Sequence, residues 1–379
     1  MIQPVLEKHT MQQKEFRAKS AGKKADKNVK ELVQQAREHT KAQRFDEALS
    51  TYMEILKENP EAAAAYMGVG GVHLRKGELD EAENYFNGAL HVTKKVAPVL
   101  AMLADVAQKR GDMTKALKLN QEALEDDPKF IKAAMGVGKI LFQLERYDEA
   151  RKAVAGALKY SPNSNEAEIL LARIMQKMGQ SEDAIENLNK LLVRDPQSWS
   201  AYFFQAQMYL REKQFEAAIE AANSSLRLKP DNIRALTCLG QALIGAKKYI
   251  KAIDILGDVL AVNPEMWNAK MLLAKAHFLN GDLEEARTLL SKIVIGRRGL
   301  GSVYFMLGDI SAAQGLFTHA LAEYGAAVLH ADKLVEKFPQ LRELIDKQMA
   351  ESDKVAEFKR LLTEIRARTD AEDQQDVLV

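Results

Sequence analysis

Nine alanines, Ala48, Ala82, Ala116, Ala150, Ala184, Ala218, Ala252, Ala286 and Ala320, follow one another at a constant step of 34 residues. A second series keeps the same step twelve places earlier, with Ala36, Gly70, Ala104, Gly138, Ala172, Ala206, Gly240, Ala274 and Gly308. Prolines repeat the interval at Pro60, Pro128, Pro162, Pro196, Pro230 and Pro264, where the position skipped in the first double step is Lys94. Three registers sharing one period identify an array of short units, and this constrains the fold more than any other feature of the chain.

Small residues recurring in pairs have a direct physical reading. Two helices approach closely only where the side chains at their crossing are small, so a Gly or Ala facing an Ala marks the contact inside one helical hairpin. Larger residues four places after the alanine, Tyr52, Phe86, Leu188, Leu256, Leu290 and Tyr324, lie on the same helical face and fill the space around the crossing. Gly77, Gly111, Gly179 and Gly281 fall between the two helices of their units, where glycine adopts the left-handed conformation that closes a helix. The pairs Asn59-Pro60, Asp127-Pro128, Asp195-Pro196 and Asn263-Pro264 then stop the second helix. At one irregular junction, Lys94-Lys95-Val96, the proline is displaced to Pro98, the first turn of the next helix, where it is tolerated.

A unit of this length, with these small, aromatic and proline positions, resembles the tetratricopeptide repeat. The resemblance covers Val29 to Leu334 as nine units, with Trp199 and Trp267 opening two of them and Tyr66, Tyr202 and Tyr304 in the aromatic slot of three others. It implies an all-α, right-handed superhelical solenoid of helix-turn-helix repeats. The remaining chain divides into a basic linker or frayed helix over residues 1–28, capping helices over 335–368 with apolar residues from Leu341 to Ile365 at helical spacing, and an acidic disordered tail over 369–379. Between the eighth and ninth units, Ile295 to Gly301 replaces the expected proline with a basic, glycine-rich loop, a candidate hinge.

Composition removes several classes of function. Lys and Arg number 54 against 53 Asp and Glu, so no global field draws the chain to nucleic acid or an anionic membrane. One cysteine, Cys238, allows no internal disulfide and fits a reducing compartment. With neither an apolar leader nor a stretch of about 18 apolar residues, a cytoplasmic location without membrane insertion is expected. The seven histidines form no metal-binding spacing, and His73 and His277 occupy equivalent slots where a ring packs between units. No catalytic residue, cofactor, metal or small-molecule substrate is expected.

The resemblance implies that partners bind the concave surface lined by the first helix of each unit. Projecting those helices places Met67, Met135, Phe142, Ile169, Phe203, Met271, Phe278 and Phe305 there as apolar anchors. The polar groups are Arg75, Lys109, Lys132, Lys139, Arg173, Lys177, Gln207, Arg211, Arg234, Gln241 and Lys275, against Asp105, Glu166 and Asp309. A positive face on a neutral chain points to protein partners carrying acidic residues beside apolar ones in an extended or helical segment. An alternative is an output or adaptor module in bacterial signalling, because Ile2 to Lys19 resembles the last helix and linker of a response-regulator receiver domain. RNA binding is a third reading, which Lys8 to Lys30 favours and the neutral total charge opposes. Self-association through a capping helix is also open.

Overall fold

The structure, a computed structural model, describes residues 29–296 and 301–329 together with Arg360. The expected linker, capping helices and acidic tail, and the centre of the candidate hinge, lie outside those residues. Within them there are eighteen helices and no strand. They are α1 (29–41), α2 (Phe45–Glu58), α3 (Ala63–Lys76), α4 (Leu79–Val92), α5 (Ala97–Lys109), α6 (Met113–Asp126), α7 (Ile131–Gln143), α8 (Tyr147–Tyr160) and α9 (Asn165–Lys177). The series continues with α10 (Ser181–Arg194), α11 (Trp199–Arg211), α12 (Phe215–Leu228), α13 (Ile233–Gly245), α14 (Tyr249–Val262), α15 (Trp267–Asn280), α16 (Leu283–Gly296), α17 (Gly301–Ala313) and α18 (Phe317–Leu329). Odd-numbered helices are the first, and even-numbered helices the second, of each repeat in an all-α helical solenoid.

Contacts divide the chain into two compact units, Met1–Asn187 and Leu188–Val379, the division falling within α10. In the first, α3 packs on α4, α5 on α6 and α7 on α8; in the second, α11 packs on α12, α15 on α16 and α17 on α18. Each has its own buried clusters, such as Ala150, Val154, Leu170 and Ile174 in the first and Ala222, Cys238, Leu239 and Leu256 in the second.

All nine alanines of the 34-residue series are 0% exposed, so the period marks a buried crossing in every repeat. The small residue faces the alanine's helix, as expected, with the Ala82 carbonyl 3.1 Å from a Cβ on Gly70, and a bulky side chain lies closer still. A Cβ added to Gly70, Gly138, Gly240 or Gly308 would lie 2.5–2.7 Å from Phe86, Val154, Leu256 or Tyr324, respectively. The twelve-place-earlier residue is therefore small mainly to admit the bulky residue four places after the alanine. The same bulky residue reaches the following repeat, since a Cβ on Gly68 would run into the Tyr52 ring.

Each repeat turns on one residue with positive φ. Gly77, Gly111, Gly179, Gly281 and Gly315 take φ between +75° and +95°, while Gln43, Glu145, Lys213 and Lys247 take 57° to 60° at the corresponding positions. In every case the next backbone N–H donates to the carbonyl five residues back, as in Glu78 to His73 (2.9 Å) and Gln214 to Tyr209 (2.8 Å). This bond closes the first helix in a Schellman arrangement whether or not glycine is present. Acidic residues such as Asp46, Glu47, Asp80 and Glu81 then open the second helix, where they complement its dipole. Pro98 occupies the first turn of α5, as expected.

Candidate interaction surface

The candidate residues fall on the first helices of the two compact units, and each unit presents its own set. In the first unit, Arg75 and Lys109 are exposed at the last turns of α3 and α5. The Lys109 ammonium donates to the Leu74 carbonyl at 2.9 Å, which ties one repeat to the next. Met67 and Phe142 are half-buried. The Arg173 guanidinium lies 4.9 Å from the centre of the Phe142 ring, a cation–π contact that holds a positive charge over an apolar group. Lys177 is half-buried one turn further along α9.

The positive excess of this face is smaller than the residue count implied. Lys132 pairs with Asp105 at 2.8 Å, and Lys139 pairs with Glu166 at 2.6 Å. Both pairs join a residue to one 27 places away in the neighbouring repeat, a spacing visible in the sequence once the 34-residue period is imposed. Lys139 is thus a paired member of the expected set. Arg75 has no ion pair among the described residues.

In the second unit, Arg211, Arg234, Gln241 and Lys275 are exposed and Gln207 is half-buried. Arg211 and Lys275 have no ion pair among the described residues, and Arg234 lies 5.6 Å from the Phe203 ring centre. Met271, Phe278 and Phe305 are half-buried beside them. The neighbouring carboxylate, Asp309, accepts a 2.8 Å hydrogen bond from the Tyr324 hydroxyl. Leu279, absent from the expected set, is 41% exposed in the last turn of α15 and adds apolar surface next to Phe278. Its signal was weak because a leucine at a helix end reads as ordinary packing.

Three expected anchors are corrected. Met135, Ile169 and Phe203 are 5%, 7% and 3% exposed, so they are core residues and offer no contact area to a partner. Met135 belongs to a cluster with Val137, Val154 and Leu170, while Phe203 packs against the cluster containing Ala235, Cys238 and Leu239. Met67, Met271 and Phe305, in the same slot of other repeats, keep partial exposure.

Two of the histidines have structural partners within the repeats. His73 and His277 bond through Nδ1 to Glu78 (2.5 Å) and Asp282 (3.1 Å), and His73 stacks on Tyr85. Hydrogen bonds from His73 and then Lys76 hold the Glu78 carboxyl below its ordinary range; those from Asn280 and then His277 do the same for Asp282. Burial pushes the Cys238 thiol up to about 12, leaving it protonated and unreactive at neutral pH. Among the described residues, no three His, Cys, Asp or Glu side chains converge to hold a metal ion, and no helix is long and apolar enough to cross a membrane.

Models described as tetratricopeptide repeat match residues 33–95, and residues 107–163, 141–208 and 243–298, which together cover more than half of the chain. The chain is a tetratricopeptide repeat protein. A further model, described as anaphase-promoting complex, cyclosome, subunit 3, matches residues 178–259. Anaphase-promoting complex subunit 3 of Schizosaccharomyces pombe is 23% identical over 116 residues, a match spanning 31% of this tetratricopeptide repeat protein and 17% of that relative. A crystal structure of a tetratricopeptide repeat protein from Parabacteroides merdae is 16% identical with a TM-score of 0.51, covering 70% of this chain and 98% of that one. The human IFIT1 dimer with m7Gppp-AAAA is 16% identical with a TM-score of 0.55, covering 88% and 89%. At these identities the structural likeness shows the fold alone. The tetratricopeptide array makes the chain a protein-interaction scaffold in general terms.

Proposed function

We propose that the first-helix faces of this protein capture segments of partner proteins in which acidic residues stand beside apolar ones. The observation that carries the reading is a set of exposed cations on these faces that no neighbouring carboxylate neutralises. On the first helices, Arg75, Arg211 and Lys275 are exposed without an ion pair among the described residues, while Asp105 and Glu166 are paired with Lys132 and Lys139 and Asp309 accepts a hydrogen bond from the Tyr324 hydroxyl. These faces therefore offer donors to an incoming carboxylate and little repulsion against it.

Exposed ion pairs contribute about 0–1 kcal/mol each, so the cations orient the segment and speed its arrival more than they hold it. Retention falls to apolar contact with Met67 and Phe142 on one unit, and with Met271, Phe278 and Leu279 on the other. Methionine and phenylalanine present adaptable area for this purpose. Reversing Arg211 and Lys275 to Glu tests the reading with a fluorescent peptide rich in Asp, Glu and Leu. Binding that weakens with added salt, and weakens again in R211E/K275E at an unchanged unfolding midpoint, supports it. Affinity indifferent to both changes rejects it.

A further inference from the structure

We infer that one occupant of the second unit's first-helix face is a segment of the same chain, Asp370–Val379, which competes there with partner segments. The inference rests on the reading of that face given above and names a particular ligand for it. The segment lies outside the described residues, and its sequence combines the two chemistries the face can accept. Asp370, Glu372, Asp373 and Asp376 supply four carboxylates with no Lys or Arg among them, and Val377, Leu378 and Val379 follow as an apolar group.

The face is complementary in both respects. Arg211 and Lys275 are exposed without an ion pair among the described residues, and Arg234 is exposed with its guanidinium over the Phe203 ring. Met271, Phe278 and Leu279 provide apolar contact area beside Lys275. Against these three cations, Asp309 is the one carboxylate on α11, α13, α15 and α17, and it accepts a hydrogen bond from the Tyr324 hydroxyl.

Distance permits the encounter. Residues 330–369 separate the end of α18 from the segment. Even at the helical rise of about 1.5 Å per residue they can span roughly 60 Å. First helices of adjacent repeats contact one another from α11 to α17. At about 10 Å per step the face extends roughly 30 Å, well inside that reach. A tether of this kind places the segment at an effective concentration of about 1 mM. If the free segment binds with a Kd of about 100 µM, its tethered form weakens a competing peptide about tenfold.

The test measures the binding of two fluorescein-labelled peptides, one with the sequence Asp370–Val379 and one with the same composition in scrambled order. The proteins are the full chain, a chain ended after Arg368, and the full chain carrying D370N/E372Q/D373N/D376N. The inference predicts that both altered proteins bind the first peptide about tenfold more tightly than the full chain, and that R211E/R234E/K275E in the shortened chain removes the gain. Equal, measurable binding by all three proteins overturns the inference and leaves the reading of the face standing. A gain that survives R211E/R234E/K275E also overturns it, because the segment then docks elsewhere. Absence of binding of either peptide to any of them overturns both the inference and the reading beneath it.

Discussion

Adjacent glycines in α3 should respond with opposite signs to the same substitution. A Cβ on Gly70 would fall 2.6 and 2.7 Å from the Phe86 ring and 3.1 Å from the Ala82 carbonyl oxygen, whereas one on Gly71 would meet nothing within 4 Å. Phe86 is 0% exposed, so its ring has no room to withdraw. Alanine in place of glycine inside a helix gains about 0.8–1 kcal/mol from backbone propensity at either position. At Gly71 that gain stands alone, and G71A should be more stable by up to about 1 kcal/mol. At Gly70 overpacking costs about 1–3 kcal/mol against the same gain, so G70A should lose up to about 2 kcal/mol. Replacing Phe86 with Ala makes room for the new methyl group, whereas Leu would not, since a Cβ on Gly240 would lie 2.7 Å from Leu256 in the same register. The double variant G70A/F86A should then show a favourable coupling of about 1 kcal/mol. Urea denaturation followed by helical circular dichroism reads the wild type, G71A, G70A, F86A and the double variant through their midpoints. G70A matching or exceeding G71A in stability would show that the bulky residue does not fill the space above the small one, and the packing argument would fail.

Other outcomes follow from the turns, the thiol, the caps and the paired carboxylates. Lys213 holds φ 57° where other repeats use glycine, so K213G should stabilise by about 0.5–1 kcal/mol, read as a rise in the urea midpoint. Cys238, buried with its thiol pushed up to about 12, should resist iodoacetamide at pH 8 in the native protein and react once urea unfolds it. The Asp112 side chain accepts from the Lys115 backbone N–H at 2.9 Å, and D112A should cost about 1 kcal/mol in the same unfolding assay. Glu78 and Asp282 titrate below their unfolded values, so the stability they add is present above the ordinary carboxylate range and is lost as pH falls through their depressed folded values. E78Q and D282N should therefore flatten the acid limb of a stability-versus-pH curve and leave its shape above neutrality unchanged.

The repeat was legible because its signal is local and redundant. An alanine at a fully buried crossing tolerates no larger residue, and nine copies of that constraint show the period without reference to any neighbour. The turn was half legible. Gly77 and Gly281 announce a left-handed residue, whereas Gln43, Glu145, Lys213 and Lys247 adopt the same conformation because the hydrogen bonds of the turn outweigh the cost of φ near 60°. The interaction surface was least legible, since exposure there depends on side chains about 30 residues away. Phe203 and Met271 share one slot, yet Phe203 is buried among α11 and α13 residues with Arg234 above it, while Met271 remains half-exposed. A projection of one helix cannot distinguish them. Nor does it show that Lys132 and Lys139 are compensated by Asp105 and Glu166, although the 27-residue separation of each pair encodes the contact.

Photo-crosslinking addresses the central claim most directly. A peptide of alternating acidic and leucine residues, carrying a photoreactive group and irradiated with the full chain, should label peptides from α3, α5, α9, α11, α13 and α15, and the labelling should fade at high salt. Labels concentrated on the even-numbered helices, or unaffected by salt, would contradict the assignment of the first-helix faces as the place where partners are held.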